Sequence, residues 1–220
     1  MKQYTYTLIA LAALWMSACD MRQPLKVGYE EPRESLENVD STIYGFCGRA
    51  STAKQLQLIT ATNDTLYINV EEARTRGRVL GGYATGDELY VLPAADHGVA
   101  QLVINKAGLL GEWAMPSPYD GSSPAGIIIK DGGEAESLEQ QGDIIYKSWR
   151  IFNGQIQIVE TRDDGTDIDY MQTYDITRMT RDSLYLVNSE ESYEYGRYNP
   201  AIDDLGVELD YDSQETFDLF

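Results

Sequence analysis

From Thr42 to Val187 the chain alternates apolar and polar side chains in short runs, each broken by Gly, Pro, Asn or Asp. A period of two sends successive side chains to opposite faces of a strand, and turn residues at the breaks reverse the chain. The pattern therefore dictates a β protein. Leu56, Leu58 and Thr60 alternate, Asn63-Asp64 turns the chain, and Leu66, Ile68 and Val70 alternate again. That is a half-buried hairpin. Val79-Leu80, Glu88 to Leu92 and Val99 to Ile104 supply further strands, punctuated by Gly81-Gly82, Gly86-Asp87 and Pro93, while Glu71 to Arg76 has room for one helical turn. Residues 42–108 are expected to form a small unit of about five strands, a barrel of the SH3 or OB kind.

A second β unit, residues 109–189, opens with Leu110 to Met115 and continues through the apolar run Gly126 to Lys130, the turn Asp131-Gly132-Gly133 and Glu134 to Leu138. Ile145 to Phe152 and Gln155 to Thr161 flank Asn153-Gly154, the strongest hairpin signal in the chain. Asp164-Gly165 turns into Asp167 to Thr177, where Ile168, Tyr170, Gln172, Tyr174 and Ile176 share one face. Ser183 to Val187 follows, and an eighth strand is expected from Gly206 to Tyr211. In Ile145 to Phe152, neither Ile145, Lys147, Trp149 and Ile151 nor Tyr146, Ser148, Arg150 and Phe152 make a purely polar face. That strand is expected to be covered on both sides or to line a partly polar cavity. Tight turns between consecutive strands make an up-and-down antiparallel meander. No amphipathic helix of useful length appears, so the class is all-β, with the boundary between units near Lys106-Ala107-Gly108.

Ahead of these units, Lys2 is followed by an apolar run, Leu8 to Met16, too short for a bilayer, which takes about 20 apolar residues. The stretch Trp15-Met-Ser-Ala-Cys19 resembles the lipobox of Gram-negative lipoproteins, with Met16 where Leu is commoner. The resemblance implies that 1–18 is a lipoprotein signal peptide and that Cys19 carries the lipid. It also implies a place in the cell envelope, at the outer membrane, on a face left open. Residues 19–41 carry Pro24, Gly28, Pro32 and many charges and read as a flexible tether, spanning roughly 25 Å.

Thirty-six acidic against 17 basic residues give a formal charge of −19. With no cluster of Lys and Arg to meet phosphates, nucleic-acid binding is excluded, and membrane association is left to the lipid. Cys47 has no mature partner once Cys19 is acylated, and its apolar surroundings, Ile43 to Gly48, mark it as a small buried hydrophobe. The acidic tail, 190–220, holds Arg197 as its one basic residue and the aromatics Tyr193, Tyr195, Tyr198, Tyr211, Phe217 and Phe220. Its charge favours disorder and its aromatics favour partial docking.

Gly111-Glu112-Trp113, Asp120-Gly121, Gly126-Ile-Ile-Ile-Lys-Asp-Gly132, Tyr146-Lys-Ser-Trp149, Tyr174-Asp-Ile176 and Asp182-Ser-Leu184 occur in that order. Together they resemble the lipocalin-like domain of lipoproteins from gut-type Gram-negative bacteria, over residues 109–188. The resemblance implies an up-and-down barrel in which Gly111 and Trp113 are structural, Trp113 plugging the base, and it implies a pocket for an apolar ligand. It supplies no ligand-contact motif. A barrel built from strands this short is narrow enough to be filled by its own side chains.

Few residues offer chemistry. His97 beside Asp96 is the single candidate base, no Gly-x-Ser-x-Gly elbow exists, and His97 reads as a polar loop residue. One His and one free Cys are too few for zinc. Asp163, Asp164, Asp167 and Asp169 crowd one turn but lack the calcium-loop spacing, and read as a solvated tip. No cofactor is implied. Trp149, Tyr170 and Tyr174 are either core or the aromatic lining of a ligand site. The leading reading is a non-enzymatic, lipid-anchored envelope protein that binds a small apolar or glycan-like ligand. An assembly subunit with a solid barrel and an envelope protein partner is the alternative, and a hydrolase is third.

Overall fold

The computed structural model describes residues 39–115, 124–138, 144–162 and 168–199. Its class is all-β, as the alternation demands. Strands β1 (Ile43–Cys47), β2 (Gln55–Thr60), β3 (Thr65–Asn69), β4 (Val79–Leu80), β5 (Glu88–Pro93) and β6 (Ala100–Asn105) form a six-stranded sheet in the order β3-β2-β1-β5-β6-β4. Only β4 and β6 run parallel within it. A single helical turn, α1 (Glu71–Thr75), follows β3, and the sheet curls so that Asn69 bridges Val99 just ahead of β6. Alternate residues Cys47, Leu56, Leu58, Ile68, Leu89, Val91 and Val103 bury one face as a small core. Cys47 is a free thiol within it, 3% exposed.

After α2 (Lys106–Leu109), the strands β7 (Gly111–Ala114), β8 (Gly126–Ile129), β9 (Ala135–Ser137), β10 (Ile144–Phe152), β11 (Gln155–Arg162), β12 (Asp169–Met179), β13 (Ser183–Val187) and β14 (Ser192–Arg197) follow. They pair in the order β10-β11-β12-β13-β14-β7-β8-β9, next neighbours throughout except where β14 returns to β7. The remaining seam, β9 to β10, is closed by a Glu134–Ser148 bridge and by the Ser137 hydroxyl. That hydroxyl donates to the Ile144 carbonyl at 2.8 Å and accepts from the Tyr146 amide at 3.0 Å, replacing ladder bonds with a side chain. The result is a nearly closed barrel. The eighth strand is Ser192–Arg197; the expected one, 206–211, lies outside the described residues, as do Cys19, the tether up to residue 38 and the tail beyond 199.

Asn153 and Gly154 both take positive φ, 50° and 73°, between the paired residues Phe152 and Gln155, as a two-residue type I′ hairpin requires. In β10 the register shifts between Tyr146 and Ser148, making Lys147 a bulge. The bulge changes the phase of the strand, so Tyr146, Trp149 and Ile151 are all buried. This is why neither face of that segment looks purely polar in sequence.

The expected boundary at Lys106–Gly108 falls on α2. Across it, Leu80, Tyr90, Leu102 and Ile104 of the first sheet join one apolar cluster with Trp113, Trp149, Ile151 and Met179 of the barrel. From Asp40 onward the described residues form one compact unit.

Candidate functional site

The end of the barrel nearer the first sheet is shut. Trp113 is fully buried and its indole N–H donates to the Leu109 carbonyl at 2.8 Å. The Arg197 guanidinium lies 3.8 Å from the ring centroid of Trp113 and donates to the Leu110 carbonyl at 2.7 Å. Gly111, at φ 132°, leaves room for it, since a Cβ there would lie 2.0 Å from Arg197 Nη1. Gly111 and Trp113 thus both lie against the Arg197 side chain.

The opposite end holds a polar network. Glu160, fully buried, accepts from Arg162 Nε and Nη2, each at 2.7 Å, on one oxygen. Arg162 also donates to both Glu191 oxygens, at 2.7 and 2.9 Å. The hydroxyls of Tyr174 and Tyr193 both donate to Glu191 Oε2 at 3.1 Å, and those of Tyr146 and Tyr195 meet at 3.3 Å. Burial pushes the Glu160 carboxyl above its ordinary value, whereas the Arg162 bonds hold Glu191 below it. Tyr174, Tyr193 and Tyr195 are pushed up, chiefly by burial, and stay neutral phenols. Glu160 Oε2 has no donor and is sealed from solvent. This network ties β10, β11, β12 and β14 together at the barrel mouth. Below it Ile156, Ile158, Ile127, Ile129, Leu184 and Leu186 are all buried, so among the described residues the barrel interior is packed with its own side chains.

Among the described residues, concave spaces lie outside the barrel, two of them around α1 and a third beside the barrel itself. A cleft of about 490 Å3 opens between the first sheet and the turn preceding β9, lined by Tyr44, Tyr90, Lys106, Gly132–Gly133, Trp149 and Phe152 among others. Tyr44 and Tyr90, a cross-strand pair, meet edge to face with centroids 5.3 Å apart. The Tyr44 hydroxyl sits between the Asp40 carboxylate, to which it donates, and the Ile151 carbonyl at 2.8 Å. The Tyr90 hydroxyl has no hydrogen-bond partner among the described residues, and burial pushes its pKa to about 12, so it remains a neutral donor. Lys106 is fixed by ion pairs to Asp131 at 2.6 Å and Glu88 at 2.8 Å, which raise its pKa. The charged residues of the lining are Asp40, Glu88, Lys106 and Arg150, with Lys106 shared between Glu88 and Asp131.

The expected ligand residues part company here. Trp149 lines the cleft, 5% exposed, with its indole N–H donating to the Lys130 carbonyl at 2.8 Å. Tyr174 belongs to the mouth network, and Tyr170 is half-buried farther up the same face of β12. His97 is an exposed turn residue at φ 55°. Asp163, Asp164 and Asp167 lie outside the described residues, and Asp169 pairs with Lys147 at 2.5 Å. Tyr44, Tyr90 and Lys106 were not singled out by sequence reasoning. The only signal for them is the position of Tyr44 and Tyr90 on the less apolar faces of their strands.

The lipocalin-like family model matches residues 105–198. Among solved structures, a lipocalin-like protein from Bacteroides thetaiotaomicron is 27% identical, covering 41% of this chain and 97% of its own, with a TM-score of 0.37. No curated protein matches the chain. Residues 105–198, which carry every strand of the barrel from β7 to β14, are lipocalin-like.

Proposed function

We propose that this protein is a lipid-anchored, non-enzymatic binding protein of the cell envelope, and that its ligand is glycan-like and sits in the cleft beneath the barrel. A lipocalin-like segment supports binding over catalysis, since such families are generally non-catalytic ligand binders. One observation carries the choice of site. The barrel interior is occupied by buried side chains, whereas the cleft beside it combines aromatic walls with the Tyr90 phenol, which has no hydrogen-bond partner among the described residues. A fatty-acid-like ligand needs a deep apolar hole, and the filled barrel argues against one.

Titration with neutral disaccharides and with a fluorescent fatty acid tests this reading. Saturable disaccharide binding that weakens in Tyr90→Phe is expected, with none for the fatty acid. Fatty-acid binding that survives Tyr90→Phe would overturn it. The anchor is tested separately by palmitate labelling of wild type against Cys19→Ala, where equal label in both would end that part. The filled barrel also favours the second reading, an assembly subunit. Crosslinking to an envelope protein, without any sugar binding, would support that instead.

A further inference from the structure

The first sheet has two outer halves with different fates. On β5 and β6, Tyr90, Leu102 and Ile104 are covered by the barrel. On β1, β2 and β3, the outward residues Tyr44, Phe46 and Tyr67 remain 39%, 49% and 54% exposed, although aromatic rings of that size are normally drawn into a core. Cross-strand pairing sets them in one path. Tyr44 stands opposite Tyr90 at the cleft, Phe46 opposite Ile59, and Gln57 opposite Tyr67, whose hydroxyl accepts from the Gln57 amide at 3.2 Å. The path thus leaves the cleft and crosses the sheet to its edge strand.

These three strands read Ile-Tyr-Gly-Phe-Cys, Gln-Leu-Gln-Leu-Ile-Thr and Thr-Leu-Tyr-Ile-Asn. None of their residues is charged, in a chain that carries 36 acidic and 17 basic ones. A solvated outer face in so acidic a protein would ordinarily share the charge. Glu88, opposite Phe46 on the neighbouring β5, is held in an ion pair with Lys106, so the three uncharged strands beside it fit an uncharged occupant. The rings are also spread out, with Tyr67 two strands from Phe46 and the amide of Gln57 between them. A protein partner is usually met by a tight cluster of anchors. Separated rings alternating with amides suit a chain of repeating units that stack and hydrogen-bond in turn.

We propose that this face continues the cleft as a platform for an uncharged oligosaccharide, whose end occupies the cleft and whose following units run over Tyr44, Phe46, Gln57 and Tyr67. The inference rests on the cleft reading above and extends it from a single sugar to a chain.

The test compares neutral disaccharides with the hexasaccharides of the same series, from glucan, mannan and galactan ladders, on the full mature chain. In at least one series the hexasaccharide should bind about five- to tenfold more tightly than the disaccharide, as one or two added stacking contacts would give. Tyr67→Ala and Phe46→Ala should erase that advantage and leave disaccharide affinity unchanged. Both rings are half-exposed, so circular dichroism should show both variants folded. If hexasaccharides bind no better than disaccharides, or keep their advantage in both variants, the platform is wrong while the cleft stands. If no member of any series binds, platform and glycan cleft fail together.

Discussion

Asp40 Oδ1 accepts the backbone N–H of Asn153 at 2.9 Å, joining residues 113 positions apart. The contact is reciprocated, because the Asn153 side chain accepts from the Ser41 amide at 2.8 Å and Thr42 Oγ1 accepts from the Gly154 amide at 3.0 Å. The tightest hairpin of the barrel is thereby pinned to the segment that leads into β1. The two sheets form the walls of one cleft because this corner holds them together.

Gly154 should accept no side chain. It takes φ 73°, and a Cβ would lie 3.0 Å from Leu92 and 3.1 Å from Leu102. Gly154→Ala is expected to cost about 1–3 kcal/mol, from the left-handed backbone and the overpacked corner together. A urea melt of the variant checks this.

Arg197 holds the barrel base by its planar fork as well as its charge. Arg197→Ala is expected to cost about 2–4 kcal/mol, since it removes a ring contact and strands carbonyls of Gly108, Leu110 and Arg181. Arg197→Lys should recover only part of that, as an ammonium has no fork to span these acceptors. Chemical denaturation of the three proteins gives the comparison.

Glu160 should make stability depend on pH in an unusual direction. Its folded pKa lies above the ordinary 4.5, mainly through burial. The neutral form's contribution is then fully present below about pH 4.5 and is lost as pH rises through the raised value. Asp40, Asp131 and Glu191 are held low and act oppositely, weakening the fold as pH falls through their folded values. Glu160→Gln keeps this acid limb. The stability of wild type relative to Glu160→Gln should therefore decline from pH 4.5 upward, as measured by melts across the range.

Trp149 belongs to the core and to the cleft at once. Trp149→Ala is expected to cost about 3–5 kcal/mol, because the ring is buried and hydrogen-bonded. Sugar binding should fall with it. Melts and titrations of one sample separate the two effects.

Strand positions were legible in the sequence because alternation survives wherever one face is buried. Tyr170, Gln172, Tyr174 and Ile176 on β12 face inward as the alternation requires, whereas Ile168, expected on the same face, is 54% exposed ahead of the strand. The bulge at Lys147 was not legible, since an extra residue breaks the phase without leaving a compositional mark. Ser192–Arg197 was hidden by the acids around it. Its inward residues Tyr193, Tyr195 and Arg197 show the alternation only once β13 and β7 are known to flank it. The cleft was illegible for a deeper reason. It needs β1 beside β5 and the Gly132–Gly133 turn opposite both, and no local pattern encodes that meeting.

The central claim is that ligand enters the cleft and the barrel stays filled. Trp113 at the barrel base and Trp149 at the cleft report on the two places separately, through their indole N–H signals in a nitrogen-15 correlation spectrum. Titration with the neutral hexasaccharides should shift the Trp149 signal and leave Trp113 in place, and a fatty acid should move neither. A saturable shift of Trp113, with Trp149 unmoved, would contradict the account.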